Sequence, residues 1–85
     1  MKIVIVKWID STYYRQEEIV LGNEIIELKP KTLYSIGFLM HETLDFISIC
    51  QDYEPTTEHG RLILSIPKVS IFDIQYIDIE LDKKI

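Results

Sequence analysis

The chain has 85 residues and a formal net charge of −5, with 9 Lys plus Arg against 14 Asp plus Glu. This length predicts one domain covering residues 1–85, with a real but thin core. Its acidity disfavours non-specific nucleic-acid binding, because such binding needs a basic surface and counterion release. Hydrophobic residues make up 47% of the chain, with only 3 glycines and 3 prolines, so disorder is not expected.

The cysteine content and the N-terminal residues predict a cytoplasmic location. Cys50 is the single cysteine, so no internal disulfide can form, which suits a reducing compartment. The apolar run in the starting sequence MKIVIVKW is too short for a signal peptide. No stretch of about 20 apolar residues is present to span a membrane. The chain is therefore expected to have no membrane partner.

The first predicted strand covers Lys2–Ile9. Ile3 to Val6 are all apolar, which is typical of a strand covered on both faces. Residues 13–27 are less clear, because Gly22-Asn23 can either stop a short helix or turn a hairpin. We expect a short helix or irregular lobe after the first strand, with the hairpin as the open alternative.

A hairpin is predicted next, with strands at Leu33–Met40 and Phe46–Gln51 and a turn within His41–Asp45. Gly37 in a strand interior suggests a bulge or a sharp bend. Cys50 lies between Ile49 and Gln51 in an apolar strand. A small buried core residue is therefore expected there, rather than a reactive thiolate, which needs an electropositive setting.

The C-terminal part predicts two more strands, at Arg61–Ile66 and Ile71–Leu81. The second shows a switch in the parity of its apolar residues, which predicts a bulge or strong bend near Tyr76. Five short strands, a glycine bend and a turn at Pro67 predict a mainly β fold. We expect a small five-stranded SH3-like or Sm-like barrel, with an OB barrel as the competitor.

Metal sites and catalytic centres are not expected. His41 and His59 lie on separate loops, and with one cysteine they give no dedicated spacing for a metal. No acid, base and nucleophile can be assembled into a reacting set. The sequence therefore predicts a protein without a cofactor that is not an enzyme.

Aromatic and basic side chains give the strongest candidate site. Trp and Tyr supply rigid area with a polar handle and dominate binding hot spots, and with neighbouring cations they could form a nucleotide pocket or a protein-binding patch. The alternative is that some of these aromatics belong to the core and the rest are ordinary surface. The predicted ligand-binding residues are Lys7, Trp8, Tyr13, Tyr14, Arg15 and Lys68.

Four short stretches of the chain resemble small proteins encoded by phages and prophages. The shared pattern is W-x-D-S, then S-[IV]-G-x-L-x-x-E-T-x-D, then I-P-K-x-x-I. In that family the segment after W-x-D-S often carries Gly-Trp before Glu-Glu, whereas here Tyr13-Tyr14-Arg15 precede the glutamates. The stretches are Trp8-Ile-Asp-Ser11, Ser35-Ile-Gly37-Phe-Leu39, His41-Glu42-Thr43-Leu-Asp45 and Ile66-Pro67-Lys68-Val-Ser-Ile71.

The resemblance implies a phage accessory protein that acts in the host bacterial cytoplasm, where proteins of this kind often blunt host defences. The leading hypothesis is a non-enzymatic homo-oligomer, assembled through exposed strand edges, that sequesters a nucleotide-type signal at an inter-subunit site. One alternative is a protein-interaction module that inhibits a basic host defence protein. Another is an Sm-like RNA-binding protein, although nucleic acid is the less expected partner.

Overall fold

A computed structural model describes residues 1–10 and 30–82. They form five antiparallel strands in one sheet, with the spatial order β4-β3-β2-β1-β5. A single 3-10 turn, Lys68–Ser70, separates the last two strands. The mainly β prediction and its five strands are confirmed. The strands are β1 Lys2–Asp10, β2 Lys31–Glu42, β3 Phe46–Glu54, β4 His59–Pro67 and β5 Ile71–Asp78.

The sheet is open, which corrects the predicted barrel. A barrel needs a ladder that joins its two outermost strands. Among the described residues β4 pairs with β3 alone and β5 pairs with β1 alone. The predicted helix or lobe after the first strand, and its hairpin alternative, lie outside the described residues. Within those residues there is no helix with the length and apolar character needed to cross a membrane.

The core lies on one face of the sheet. Alternation along β1 places Val4 and Val6 on this core face, where both are fully buried. They form one cluster with Ile47, Ile49 and Ile66 from β3 and β4, which are not neighbours of β1 in the sheet. The sheet therefore curves around its own apolar face.

The hairpin between β2 and β3 turns through side-chain hydrogen bonds. The Thr43 hydroxyl accepts bonds from the backbone N–H groups of Asp45 and Phe46, both at 3.1 Å, as small hydroxyl residues do in turns. The Thr43 N–H donates to the Phe46 carbonyl at 2.9 Å. The Lys68 N–H donates to the Asp45 carbonyl at 2.8 Å. This backbone hydrogen bond connects the 3-10 turn to the hairpin.

Both predicted bulges are displaced. Gly37 pairs regularly with Val4, and the irregularity of β2 against β3 lies between Leu39 and His41. A Cβ on Gly37 would lie 2.7 Å from the Cys50 carbonyl oxygen. The glycine is therefore needed for the close approach of β2 and β3.

In β5 the predicted bulge near Tyr76 is not found. Tyr76 and Ile77 pair in regular register with Val4 and Ile3 of β1. The register shifts instead at Lys7 and Trp8, opposite the beginning of β5. The apparent parity switch arises because both faces of the strand carry apolar side chains, and because the strand ends at Asp78.

Candidate binding surface

The face of the sheet opposite the core is here called the open face. Across it runs a row of apolar side chains, one from each strand. Residues directly opposite in an antiparallel ladder share a face, so the register places these five side chains in one row. We call this set the apolar row. It consists of Ile77, Ile3, Phe38, Cys50 and Ile63, in the order β5-β1-β2-β3-β4.

The apolar row is deeply covered at only one position. Cys50 is fully buried, and burial, followed by the charge of Asp52, raises the pKa of its thiol. Cys50 is thus a packed core-like residue, which confirms the prediction for it. The side chains at the two ends of the row are open to solvent: Ile63 is 58% exposed and Ile77 47% exposed.

Ile36 and Tyr34 continue this surface along β2. Ile36 pairs with Ile5 and is 55% exposed, and Tyr34 pairs with Lys7 and is 66% exposed. Exposed apolar side chains that lie on one face mark interaction sites in soluble proteins. The open face therefore offers apolar contact area with an aromatic group at one end.

Lys7 is placed beside an aromatic ring. Its Nζ atom lies 5.9 Å from the centre of the Tyr34 ring, within the range of a cation–π contact. Its cross-strand neighbour in β5 is Asp73, whose carboxylate opposes an anionic ligand. The favourable and unfavourable partners of a bound phosphate therefore lie side by side here.

Trp8 lies on the other face of the sheet from Lys7. Its indole Nε1–H donates to the Ser35 hydroxyl at 2.9 Å, and its ring packs against the core cluster. Successive residues of a strand point to opposite faces, so the structure does not bring these two predicted residues together. The polar group of Trp8 is already satisfied inside the protein.

Lys68 is held by an internal ion pair. Its Nζ donates to the Glu42 carboxylate at 2.7 Å, and the Tyr76 hydroxyl donates to the same carboxylate at 2.8 and 2.9 Å. The Lys68 hydrogen bond, followed by that of Tyr76, lowers the pKa of Glu42. Burial, followed by Glu42, raises the pKa of Tyr76. Any ligand of Lys68 must therefore compete with Glu42.

The Glu42 network predicts a pH-dependent stability. The pKa of Glu42 is lower in the folded protein than in the unfolded chain. Its contribution to the free energy of unfolding is therefore complete above its pKa in the unfolded chain, and it is lost as the pH falls through its pKa in the folded protein. We expect Glu42→Gln to cost about 1 kcal/mol at neutral pH, since the pair is partly exposed. Urea unfolding from pH 7 to pH 3 should show this difference shrinking below pH 4.5, the unperturbed value. A difference in the free energy of unfolding between the two proteins that stays constant down to pH 3 would contradict this role of Glu42.

The other predicted site residues, Tyr13, Tyr14 and Arg15, lie outside the described residues. The open face was not selected from the sequence, although the signal for it was present. Tyr34, Ile36 and Phe38 share one parity in β2, and β1 is apolar on both parities. Two apolar parities on adjacent strands indicate a sheet with apolar groups on both faces.

A separate cleft of about 370 Å³ lies at the far end of the β3–β4 hairpin, away from the predicted site residues. An ion pair at 3.2 Å between Arg61 of β4 and Asp52 of β3 joins the two strands there. Both side chains are well exposed, so the pair adds little stability. The cleft is lined by Asp52, Tyr53, Glu54, Thr57, His59 and Arg61.

Comparisons with protein-family models, curated proteins and solved structures find no match for this chain. The open face can exclude water from an apolar partner, and Tyr34 with Lys7 can stack on a planar ring and contact a negative group.

Proposed function

We propose that the chain is a non-enzymatic binding protein that captures a target stoichiometrically on the open face. The observation that supports this most directly is the exposure of Ile36, Ile63 and Ile77 on one surface. Strands that are apolar on both faces normally have both faces covered. A protein target supplies such a cover, and this ranks the protein-interaction alternative above nucleotide capture.

The biological setting that we propose is that of a phage accessory protein that counters host defence in the bacterial cytoplasm, on the basis of the sequence resemblance. For the fold, we propose an SH3-like or Sm-like subtype. It is supported by the strand order and by the 3-10 turn between the last two strands. The net charge of −5 favours a basic host protein, because long-range attraction raises the rate of encounter.

The test uses the purified chain and a matched pair of variants. Ile36→Asp places a charge on the open face, whereas Leu44→Asp places the same charge in the β2–β3 turn, where Leu44 is 95% exposed. Proteins retained from bacterial host lysate at low and high salt are identified, purified and titrated by calorimetry. We expect one target per chain, with affinity at least tenfold lower for Ile36→Asp and unchanged for Leu44→Asp. Equal binding by both variants would overturn the proposal.

A nucleotide-type signal is the second candidate, and the contact between Lys7 and Tyr34 favours it. Tyrosine can stack on any base, and the lysine ammonium can contact a phosphate. The same calorimeter distinguishes this candidate, using cyclic dinucleotides, cyclic oligonucleotides and ADP-ribose as titrants. A heat of binding that is present in the unmodified chain and absent in Tyr34→Ala supports nucleotide capture. The absence of any heat of binding with all of these titrants excludes this candidate. A flat gel-shift titration with RNA removes the Sm-like RNA-binding alternative.

A further inference from the structure

The two edges of the sheet differ in how well they are protected against pairing with another strand. Exposed edges present unpaired backbone groups, and proteins usually protect them with charges or bulges. On β5 the regular part of the strand runs between Asp73 and Asp78, and an irregularity lies at its beginning. On β4 the residues from Leu62 to Ile66 carry no charge. The β4 edge therefore has the longer uncharged run, Leu62 to Ile66 against Ile74 to Ile77 on β5.

The β4 edge also exposes three consecutive apolar side chains. Leu62 is 72% exposed, and Ile63 and Leu64 are exposed beside it. Leu62 has a φ of 57°, in the left-handed region that costs a leucine about 1–2 kcal/mol. Backbone strain of this kind concentrates at functional positions. Apolar exposure and strain thus coincide on an edge that pairs with no further strand among the described residues.

We infer that the β4 edge binds the β4 edge of a second copy of this chain, in antiparallel pairing around a two-fold axis at Ile63. In this register Ile63 faces its own copy, and Leu62 faces Leu64 of the second copy. This register places each of the three exposed apolar side chains opposite an apolar side chain of the second copy. Cross-strand apolar pairs and backbone hydrogen bonds then form on both sides of the axis.

Charge and symmetry select a second copy as the occupant. Arg61 is the only charged residue between Gly60 and Pro67, and this register places it opposite Ser65 of the second copy. No carboxylate of an acidic chain is thereby brought against another within the ladder. Pairing β4 with β5 of another copy would leave a free edge at each end and build open chains, whereas β4 with β4 closes as a dimer.

The dimer extends the open face, because Ile63 ends the apolar row at this edge. Two rows then continue into each other across the axis, so that both copies present one larger surface. The pairing does not rest on the proposed function, since it needs no target on the open face. The contact is smaller than the roughly 800 Å² per partner of a standard interface, so we expect a dimer that dissociates at micromolar concentration.

Sedimentation equilibrium over a range of concentrations tests this pairing. The unmodified chain should show a reversible monomer–dimer equilibrium, and Ile63→Lys should be monomeric at every concentration. Leu44→Lys adds the same charge in the turn and should dimerise as the unmodified chain does. Leu62→Asn suits the left-handed backbone, so it should weaken the dimer at least tenfold while it stays folded. A chain that is monomeric throughout, or an Ile63→Lys variant that dimerises normally, would overturn the inference.

Covalent trapping checks the register. In antiparallel pairing the α-carbons of two facing residues lie about 4.5–5.5 Å apart, which suits a disulfide. Ile63→Cys should therefore form a cross-linked dimer under mild oxidation, while Leu44→Cys should not. A dimer that forms without this cross-link is joined at another surface. Because Leu62 is not in the apolar row, Leu62→Asn should keep its affinity per chain for any target of the open face, which separates the dimer from the proposed function.

Discussion

Gly37→Ala is expected to destabilise the protein by about 2–3 kcal/mol, because an added methyl group here meets backbone rather than a movable side chain. The new Cβ would lie 2.7 Å from the Cys50 carbonyl oxygen and 3.2 Å from the Ile49 Cβ. Relief requires β2 and β3 to separate at the centre of the sheet. Thermal unfolding should show a fall in Tm of roughly 10–20 °C for a domain of this size.

Gly60→Ala is the matched control for that substitution. Its Cβ would meet the Met40 Cε and the Cys50 Sγ, both at 2.9 Å. The thioether end of Met40 is flexible and can move at low cost, so Gly60→Ala should lose clearly less stability than Gly37→Ala. Equal losses for the two variants would contradict the close approach of β2 and β3 as the reason for Gly37.

Ile47→Ala is expected to have the other large effect, a loss of about 3–4 kcal/mol. Ile47 is fully buried in the core cluster, and truncating a buried isoleucine costs its transfer free energy plus that of the cavity left behind. The thin core of a short chain has few other contacts to compensate. Urea unfolding monitored by Trp8 fluorescence measures the loss.

The control for Ile47 is the same substitution on the open face. Ile36 is 55% exposed, so Ile36→Ala should cost about 1 kcal/mol or less. The same variant should weaken capture of a protein target. A large loss of stability in Ile36→Ala would show that the open face is covered within the folded chain, and this would count against the proposed binding surface.

Capture of a target and pairing of two copies share Ile63 but are separable through other residues. The open face also presents Ile36 and Ile77 of β2 and β5, whereas the dimer contact also uses Leu62, which is not in the apolar row. If both occur, two target sites lie on one rigid sheet. The effective concentration at the second site would then strengthen the capture of a target that is itself oligomeric.

Much of the local structure could be predicted from the sequence. Residues that alternate along one strand share a face, and Tyr34, Ile36 and Phe38 of β2 lie on the open face as their shared parity indicates. Ile3 to Val6 showed that β1 is apolar on both sides. Cys50 was expected to be buried because its neighbours are apolar, and it is fully buried. These properties depend on neighbours in the chain.

The candidate site could be predicted only in part. Lys7 and Trp8 are adjacent in a strand, and the alternation that separates them onto two faces was already readable. The hydrogen-bond partners of the predicted site residues could not be predicted from the sequence. Ser35 binds the Trp8 indole across 27 positions of the chain, and Glu42 binds Lys68 across 26. Such partners are set by the register between strands.

Period-two patterning and turn residues act locally, so the amino-acid sequence was sufficient to predict a mainly β chain and its five strands. Tertiary structure decided that the sheet stays open, where its bulges lie, and that Ile63 and Ile77 fall into one row with Ile3. The physical reason is that strand pairing joins residues far apart in the chain, and a shift of one residue would send every side chain to the other face.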